Sequence, residues 1–395
     1  MRILISGAGI AGPALAFWLL QYGFEPTIVE VAPHFRTGGY IIDFWGAGFD
    51  VAHRMGLSPE LQRKGYKVTE VKVVNAAGKR IAGFGVKAFD RMTAGRFISL
   101  PRGELAASIF AAIADKAEAI FGDSIETIHQ NEKSVRVAFK SGLVRDFDLV
   151  VGADGLHSRV RELVFGPEDR FEKFLGYRVA AFEVDGYRPR DELNYVMYTE
   201  VGQQVGRFAM RGDRTMFIFT FSDPEKNSVS DTESAKALLR RRFGNSGWEC
   251  PQILAALDSC KFFYSDRVSQ IRMSPADGLW SRGRVTLLGD AASCVSLLAG
   301  QGTSLAMVAA YILAGELHRA NGDYAAAFAR YQNLFGPFVL KKQDAAIGIA
   351  GAFAPKSRLS MFLRNQVFNL LSVNWIADYF VGRDLADKIT LPDYR

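Results

Sequence analysis

The sequence predicts an α/β fold in three parts: a parallel sheet begun at the N-terminus, an antiparallel sheet inserted in mid-chain, and a helical C-terminal segment. Three patterns carry that prediction. Residues 2–30 read as strand, glycine turn, helix, strand and acid; residues 177–221 read as short strands joined by turns; the chain beyond about residue 325 is mostly helical in pattern. With 395 residues, 49% hydrophobic and 23% charged, the chain has an ordinary globular composition and the length for two or three packed domains.

Arg2 to Ser6 is a short apolar strand, and Gly7-Ala8-Gly9-Ile10-Ala11-Gly12 follows it directly. A helical stretch runs to Tyr22, Gly23 stops it, and a second strand, Pro26 to Val29, delivers Glu30. Each glycine has its own task. Gly7 permits the tight turn, Gly9 lets backbone approach a pyrophosphate, and Gly12 lets helix and strand pack closely. The helix N-terminus adds free N–H groups and a partial positive charge. Glu30 stands at the spacing of an acid that accepts from ribose hydroxyls. The unit reads as a Rossmann-type dinucleotide site, with Gly7, Gly9, Ile10, Ala11, Gly12 and Glu30 at the cofactor.

After Glu30 comes an irregular stretch containing Gly38-Gly39, then a helix near 47–55 and β-like runs at 68–74 and 80–84. Helical periodicity marks 105–120. Strands are expected at 124–129, 134–139 and 148–152, the last running straight into Ala153-Asp154-Gly155. Runs at 177–184, 195–200, 204–210 and 215–221 form the antiparallel sheet. Two helices, about 231–243 and 250–258, interrupt it before 261–273 returns to strand. Ser230-Asp231-Thr232-Glu233 has the form of a capping box, and Arg240-Arg241-Arg242 suits the far end of that helix. A buried strand at 284–288 ends in Gly289-Asp290-Ala291-Ala292, and a long helix should follow from about 302 to 320.

The net charge of +6 comes from dispersed lysines and arginines, which argues against nucleic-acid binding. Cys250, Cys260 and Cys294 form neither a C-x-x-C nor a disulfide set, which points to a reducing compartment, the cytoplasm. His34, His53, His129, His157 and His318 show no metal spacing and no triad with a serine, so neither a metal site nor a side-chain nucleophile is expected. Residues 3–20 are nearly uncharged, but they hold the glycine pattern and lack a cleavage site, so they do not read as a secretory leader. Residues 291–315 are broken by Gly300-Gln301-Gly302-Thr303-Ser304 and fit a buried helix better than a bilayer span.

Three separated segments point the same way: Gly7–Gly12 with Glu30, then Asp154-Gly155-Leu156-His157-Ser158-Arg159-Val160-Arg161, then Gly289-Asp290-Ala291-Ala292 with Gly300-Gln301-Gly302. Together they resemble the class A flavoprotein monooxygenases, the para-hydroxybenzoate hydroxylase type, over essentially the whole chain. Arg36-Thr37-Gly38-Gly39, Asp43 and Leu100-Pro101-Arg102-Gly103-Glu104-Leu105 are most similar to the tetracycline-inactivating monooxygenases and related aromatic polyketide hydroxylases. The resemblance implies FAD as resident cofactor and NADPH or NADH as a transient reductant with no domain of its own. It implies O2-dependent hydroxylation of an aromatic or polycyclic small molecule, polyketide- or tetracycline-like, through a flavin C4a-hydroperoxide, with the hard chemistry borne by the cofactor.

The same resemblance assigns residues. Asp290 would bind the ribityl chain and Arg102 the FAD phosphate or ribityl oxygens. Asp154 belongs to a motif for both FAD and NAD(P)H, and Gly300, Gly302 and Thr303 would face the flavin pyrimidine edge. Arg36 and Asp43 match positions near the flavin and the approach path of the nicotinamide. The FAD-binding domain would comprise 1–70, 98–172 and 275–325, the substrate domain 71–97 and 173–274, and a C-terminal helical region 326–395 would bridge them. A monomer or homodimer is expected, with no nucleic-acid partner and no membrane span.

Side-chain chemistry leaves alternatives at several of these positions. Asp290 can cap the following helix or accept from a polyol. Asp154 can tie down local backbone, with Arg161 paired to it or to the pyrophosphate. The sheet is rich in aromatics (Tyr177, Phe182, Tyr195, Tyr198, Phe208, Phe217, Phe219, Phe221, Phe262, Phe263 and Tyr264), of which Phe208, Phe217 and Phe219 can face a substrate or form ordinary core. The spaced apolar residues of 356–388 suit a bridging helix or one lying on a membrane. Three departures from the family pattern stand out: Leu297 replaces the usual proline, Val31 follows Glu30 where a basic residue is common, and Ser304 stands for asparagine. A flavin oxidoreductase without oxygen insertion and a non-catalytic flavin-binding sensor are the alternative functions. The W-x-W-x-I-P signature of flavin-dependent halogenases is absent.

Overall fold

The computed structural model describes residues 1–36, 38–85, 93, 95–225, 231–371 and 389–394. Near-continuous apolar strands must be covered on both faces, and the first sheet is built this way. Its six strands lie in the order Ser281–Arg282, Val285–Leu287, Leu149–Gly152, Arg2–Ser6, Glu25–Glu30 and Glu118–Phe121. All neighbours are parallel except the hairpin of the first two. Ile3, Leu4, Ile5, Val150, Val151, Val285 and Leu287 are fully buried. Helix Ala11–Gln21 returns over this sheet and packs on helix Gly302–Arg319, with the Trp18 and Tyr311 rings 4.8 Å apart.

Parallel strands end on one edge, and that fact assembles the site. Gly7 follows the strand Arg2–Ser6, Glu30 ends its neighbour, Asp154 comes two residues after Gly152, and Asp290 three after Leu287. Four segments distant in sequence therefore meet where the strand order reverses beside Arg2–Ser6, the place at which a doubly wound sheet opens its crevice.

The periodicity at 105–120 covers two elements rather than one. Helix Arg102–Ala111 stops, and Glu118–Phe121 joins the sheet edge in parallel with Glu25–Glu30. Ala119 and Ile120 happen to continue the helical period, and their pairing with Ile28 and Val29, far away in sequence, decides between the two readings. Ile41–Trp45, in the stretch that reads as irregular, and Phe97–Pro101, for which no element is expected, are strands that pair antiparallel. Their Ile42, Phe44, Ile98 and Leu100 pack into the core of the first sheet.

The second large sheet has seven strands in the order Phe262–Ile271, Glu172–Asp185, Arg214–Ser222, Gln203–Met210, Asn194–Glu200, Glu70–Val74 and Arg80–Gly85. Helices Thr232–Phe243 and Cys250–Ala256 cover one face. Asp231 caps the first of these by accepting from Ser234 N at 2.8 Å, one residue later than the expected box; Ser230 lies outside the described residues. The other face looks toward Ile41–Trp45 and the first sheet.

Helix Tyr324–Phe353 runs beside Gly302–Arg319, and its buried Gln343 donates to Ile271 O at 2.7 Å and Cys294 O at 3.0 Å. Helix Arg358–Leu370 packs on the edge strand Arg80–Gly85 through Phe368 against Phe84 and Asn369 Oδ1 accepting from Gly83 N. Its buried Arg364 reaches Thr199 and Gln204 of the sheet. Phe84, Gly83, Thr199 and Gln204 all belong to the seven-stranded sheet, while Leu359, Phe362, Leu363 and Val367 on the other side of the helix are exposed. The remainder of the 356–388 stretch from 372 onward, with Ile376 and Phe380, lies outside the described residues. No described helix is long and apolar enough to cross a membrane.

Candidate functional site

Two clefts run end to end along the crevice. The outer one is lined by Gly7, Ala8, Gly9, Glu30, Arg36, Ser124, Lys140 and Asp154, among others, and encloses about 1240 Å³ counted out to solvent. The inner one, about 920 Å³ on the same basis, is lined by Gly9, Ile10, Ala11, Tyr40, Tyr264, Asp290, Leu297, Gly300, Gly302 and Thr303. Gly9, Arg102, Ala153 and Gly155 belong to both, so the two form one trough. An extended dinucleotide needs a channel of this kind, with phosphate binders in its middle.

The local backbone explains why the trough is open there. Gly7 sits at φ +108°, and a Cβ on it would come within 2.5 Å of Ala153 O. On Gly12 a Cβ would stand 2.0 Å from Gly7 O, so the helix rests directly on the turn. At Gly9 the added atom would meet only Arg102 Nη2, at 3.4 Å. Arg102 starts helix Arg102–Ala111, with its N–H donated to Tyr40 O, and its guanidinium makes no hydrogen bond or ion pair with any described residue. A cation beside bare backbone at the junction of two clefts fits a pyrophosphate.

Glu30 braces the turn. One oxygen accepts from Ala8 N at 2.8 Å and the other from Ala32 N at 2.9 Å, with Arg36 3.8 Å away and largely exposed. A carboxylate has further lone pairs, so these bonds leave room for a ribose hydroxyl.

Asp290 decides one alternative. The helix Asp290–Ser293 has Gly289 at its N-cap and no side-chain cap, so the aspartate does not close that helix end. Its carboxylate is deep in the inner cleft beside the Cys294 thiol; burial raises its pKa, with the Arg102 charge opposing. A carboxylate kept there without a backbone donor is suited to ligand hydroxyls, since burying it unpaired costs several kcal/mol. Burial pushes the phenol of Tyr40 up to about 12 and also raises that of Tyr264, and the two share this cleft with rings 5.7 Å apart.

Asp154 organises its own loop. It accepts from Ser158 Oγ, from Val160 N at 3.1 Å and from Ser6 Oγ at 3.4 Å, and burial raises its pKa. Arg161 does not pair with it. The guanidinium is fully buried and donates instead to Ala291 O at 3.0 Å, Leu156 O at 2.6 Å and Glu168 at 3.0 Å, turned away from the trough. The long side chain reaches past its own loop to the Gly289–Ala292 segment and fastens the two motif loops together.

Four further expected site residues are placed elsewhere. Phe217 and Phe219 are fully buried on the helix-covered face of the seven-stranded sheet, against Phe182, Phe243 and Tyr187. Strand parity sends them there, since Arg214 begins the strand and alternate residues Met216 and Ile218 take the face toward the trough. Phe208 is on that second face but packs against Tyr66 and Tyr195 and lines neither cleft. Asp43 also lines neither; it accepts from Ser99 and Tyr195 between the two-stranded sheet and the large one. Conversely Tyr40, Tyr264, Ser124 and Lys140 line the trough without any motif to announce them. No cluster of three metal-ligating side chains exists among the described residues.

His157 clasps the Asp154 loop to the rest. Its Nε2 is 3.1 Å from Asp266 and its Nδ1 3.0 Å from Glu168, and these carboxylates lift its pKa from 6.5 to about 10. A folded value above the unfolded one means the clasp contributes fully below about 6.5 and is lost as pH rises toward 10. His157→Gln is therefore expected to lower Tm near pH 6 and to converge on wild type near pH 10; an equal deficit at both would contradict this account.

The FAD binding domain family matches residues 1–326. A flavin-dependent monooxygenase from an unknown prokaryotic organism is 37% identical over 364 residues, covering 91% of this chain and 92% of its own. One from Legionella longbeachae is 31% identical over 403 residues, covering 100% and 98%. The crystal structure of tetracycline destructase Tet(51) aligns with a TM-score of 0.84 at 32% identity, covering 100% of this chain and 99% of that one.

Proposed function

The chain belongs to the FAD binding domain family of flavin-dependent monooxygenases, and from that premise we propose that it uses NAD(P)H and O2 to hydroxylate an aromatic or polycyclic small molecule. The observation that carries the proposal is Arg102 at the junction of the two clefts, its guanidinium without a hydrogen-bond or ion-pair partner among the described residues, with bare Gly9 backbone on one side and Asp290 on the other. FAD lies extended along the trough in this reading. Its adenosine end is near Glu30, Arg36 and Ser124, its pyrophosphate over Gly7–Gly12 and Arg102, and its ribityl chain at Asp290.

When bound, FAD supplies hydride acceptance from NAD(P)H and activation of O2. The chain's own residues do the rest. Gly302 and Thr303 line the inner cleft at the start of helix Gly302–Arg319, whose dipole favours negative charge there. Asp154 and Glu30 hold the loops rigid. The substrate would rest in the inner cleft against Tyr40, Ile42, Tyr264 and Leu297, rather than on the phenylalanine wall expected from sequence. Leu297, on the wall of the inner cleft, takes the position of the family proline. In this reading residues 1–70, 98–172 and 275–325 serve FAD, 71–97 and 173–274 serve the substrate, and 326–395 bridge them. The likeness to a tetracycline destructase favours a hydroxylated polycycle.

The purified chain is expected to be yellow and to release one FAD per chain on denaturation. Tetracyclines or electron-rich phenols should then stimulate NADPH oxidation. A colourless protein that releases no flavin would overturn the proposal.

A further inference from the structure

Helix Asp290–Ser293 runs into a loop whose Cys294, Ser296, Leu297 and Gly300 line the inner cleft. One residue of that loop has a backbone that side chains disfavour. Ser296 is buried at φ +132° and ψ +139°, beside the region that glycine alone fills freely. Such a conformation persists only where the surroundings over-determine it. The Ser296 hydroxyl helps by accepting from Leu298 N at 3.2 Å. A further hold is on the two carbonyls that precede it. Cys294 O accepts from Ile271 N at 3.1 Å and from Gln343 Nε2 at 3.0 Å, and Val295 O accepts from Gln270 Nε2 at 2.8 Å. Both glutamines are buried. Their neighbours fix which end of each amide points at the loop. Gln270 Oε1 accepts from Arg272 Nε at 2.8 Å, so its Nε2 is the end that meets Val295 O and Gln343 O. The Gln343 amide meets two carbonyls, Ile271 O and Cys294 O, so its donor end must face them. Gln343 belongs to helix Tyr324–Phe353 and Gln270 to the strand Phe262–Ile271, so two elements grip the loop from outside the cleft.

We propose that Gln270 and Gln343 are positioning residues: their paired amides hold Ser296 in its strained backbone and so set the wall that Ser296 and Leu297 give the inner cleft. This role rests on the FAD reading above for its consequence at the flavin. A buried carbonyl without a donor is costly, so loss of an amide N–H lets the Val295–Ser296 peptide turn and Ser296 relax to an ordinary φ. Neither glutamine lines either cleft, so each acts on a bound ring only through the loop. Leucine fills nearly the same space as glutamine and removes the donors.

The test combines Gln343→Leu and Gln270→Leu with Ser296→Gly, since glycine adopts the Ser296 backbone without strain. Hydrogen exchange of the full chain, read by mass spectrometry, follows residues 294–300, with the strand Arg2–Ser6 as internal control. Each leucine variant is expected to exchange about tenfold faster at 294–300 and at the wild-type rate in the control strand. In the FAD-loaded protein the same variants are expected to blur the resolved shoulder of the visible flavin band, as water reaches the ring. In the Ser296→Gly background the leucine substitutions are expected to change exchange less than about threefold and to leave the shoulder intact. Equal effects in the two backgrounds would assign the glutamines to general packing and overturn the proposal. Wild-type exchange in both leucine variants would overturn it too. A leucine variant that folds only together with Ser296→Gly supports it, and one that folds in neither background overturns it. Wild type that carries no FAD would overturn the monooxygenase reading, while exchange at 294–300 still decides the role of the glutamines.

Discussion

Asp290→Ala is expected to fold normally and to hold FAD one to two orders of magnitude more weakly than wild type, whereas Arg36→Ala changes the affinity less than about threefold. The carboxylate is in the inner cleft, caps no helix, and has only the Cys294 thiol and the Arg102 charge for company. Its removal takes away charge-assisted hydrogen bonds to ligand hydroxyls, each worth about 1.5–3 kcal/mol. No backbone group loses a partner, so the fold has little to lose. Arg36 is 71% exposed and 3.8 Å from Glu30, a solvated pair of the kind worth about 0–1 kcal/mol. Equilibrium dialysis of FAD against refolded apoprotein measures both. Equal flavin content in the two variants would show that the ranking is wrong.

Gly12→Ala and Gly9→Ala are expected to fail in opposite ways although the residues are three apart in one motif. A methyl at Gly12 would stand 2.0 Å from Gly7 O, backbone that can move only by pulling the helix off the strand. Overpacking of that kind costs about 3 kcal/mol or more, so this variant should lose stability in chemical denaturation before any ligand is considered. A methyl at Gly9 meets only the mobile end of Arg102, at 3.4 Å, and falls in open trough. That variant should unfold at the wild-type denaturant midpoint yet bind FAD at least about tenfold more weakly, because the methyl occupies the path of the pyrophosphate. Normal FAD binding by Gly9→Ala would remove the phosphate from the junction of the clefts.

What could be read from the sequence was whatever a short window contains. The strand, turn, helix, strand and acid of residues 2–30 are local, and so is the run from a buried strand into Gly289-Asp290. That these meet along one edge follows from parallel pairing, which the apolar strands already implied. Side-chain direction was less accessible. Phe217 and Phe219 look like a substrate wall until strand parity turns them toward Phe243, and Arg161 looks like a pyrophosphate ligand until its reach to Ala291 O is known. Tyr40 and Tyr264 enter the cleft from strands or loops with no motif, by contacts between segments more than 200 residues apart. Asp43 was singled out by resemblance, but only its bonds to Ser99 and Tyr195 show which layer of the protein it occupies.

The central claim, that this chain inserts oxygen into a ring compound bound against the inner cleft, is tested most directly with 18O2. Enzyme carrying FAD is supplied with NADPH and a panel of tetracyclines and phenols, and products are weighed by mass spectrometry. The account predicts one labelled oxygen per product molecule and NADPH consumption in step with product. NADPH oxidation that yields only hydrogen peroxide, with no labelled product from any member of the panel, would contradict it and assign the chain to the flavin oxidoreductases that insert no oxygen.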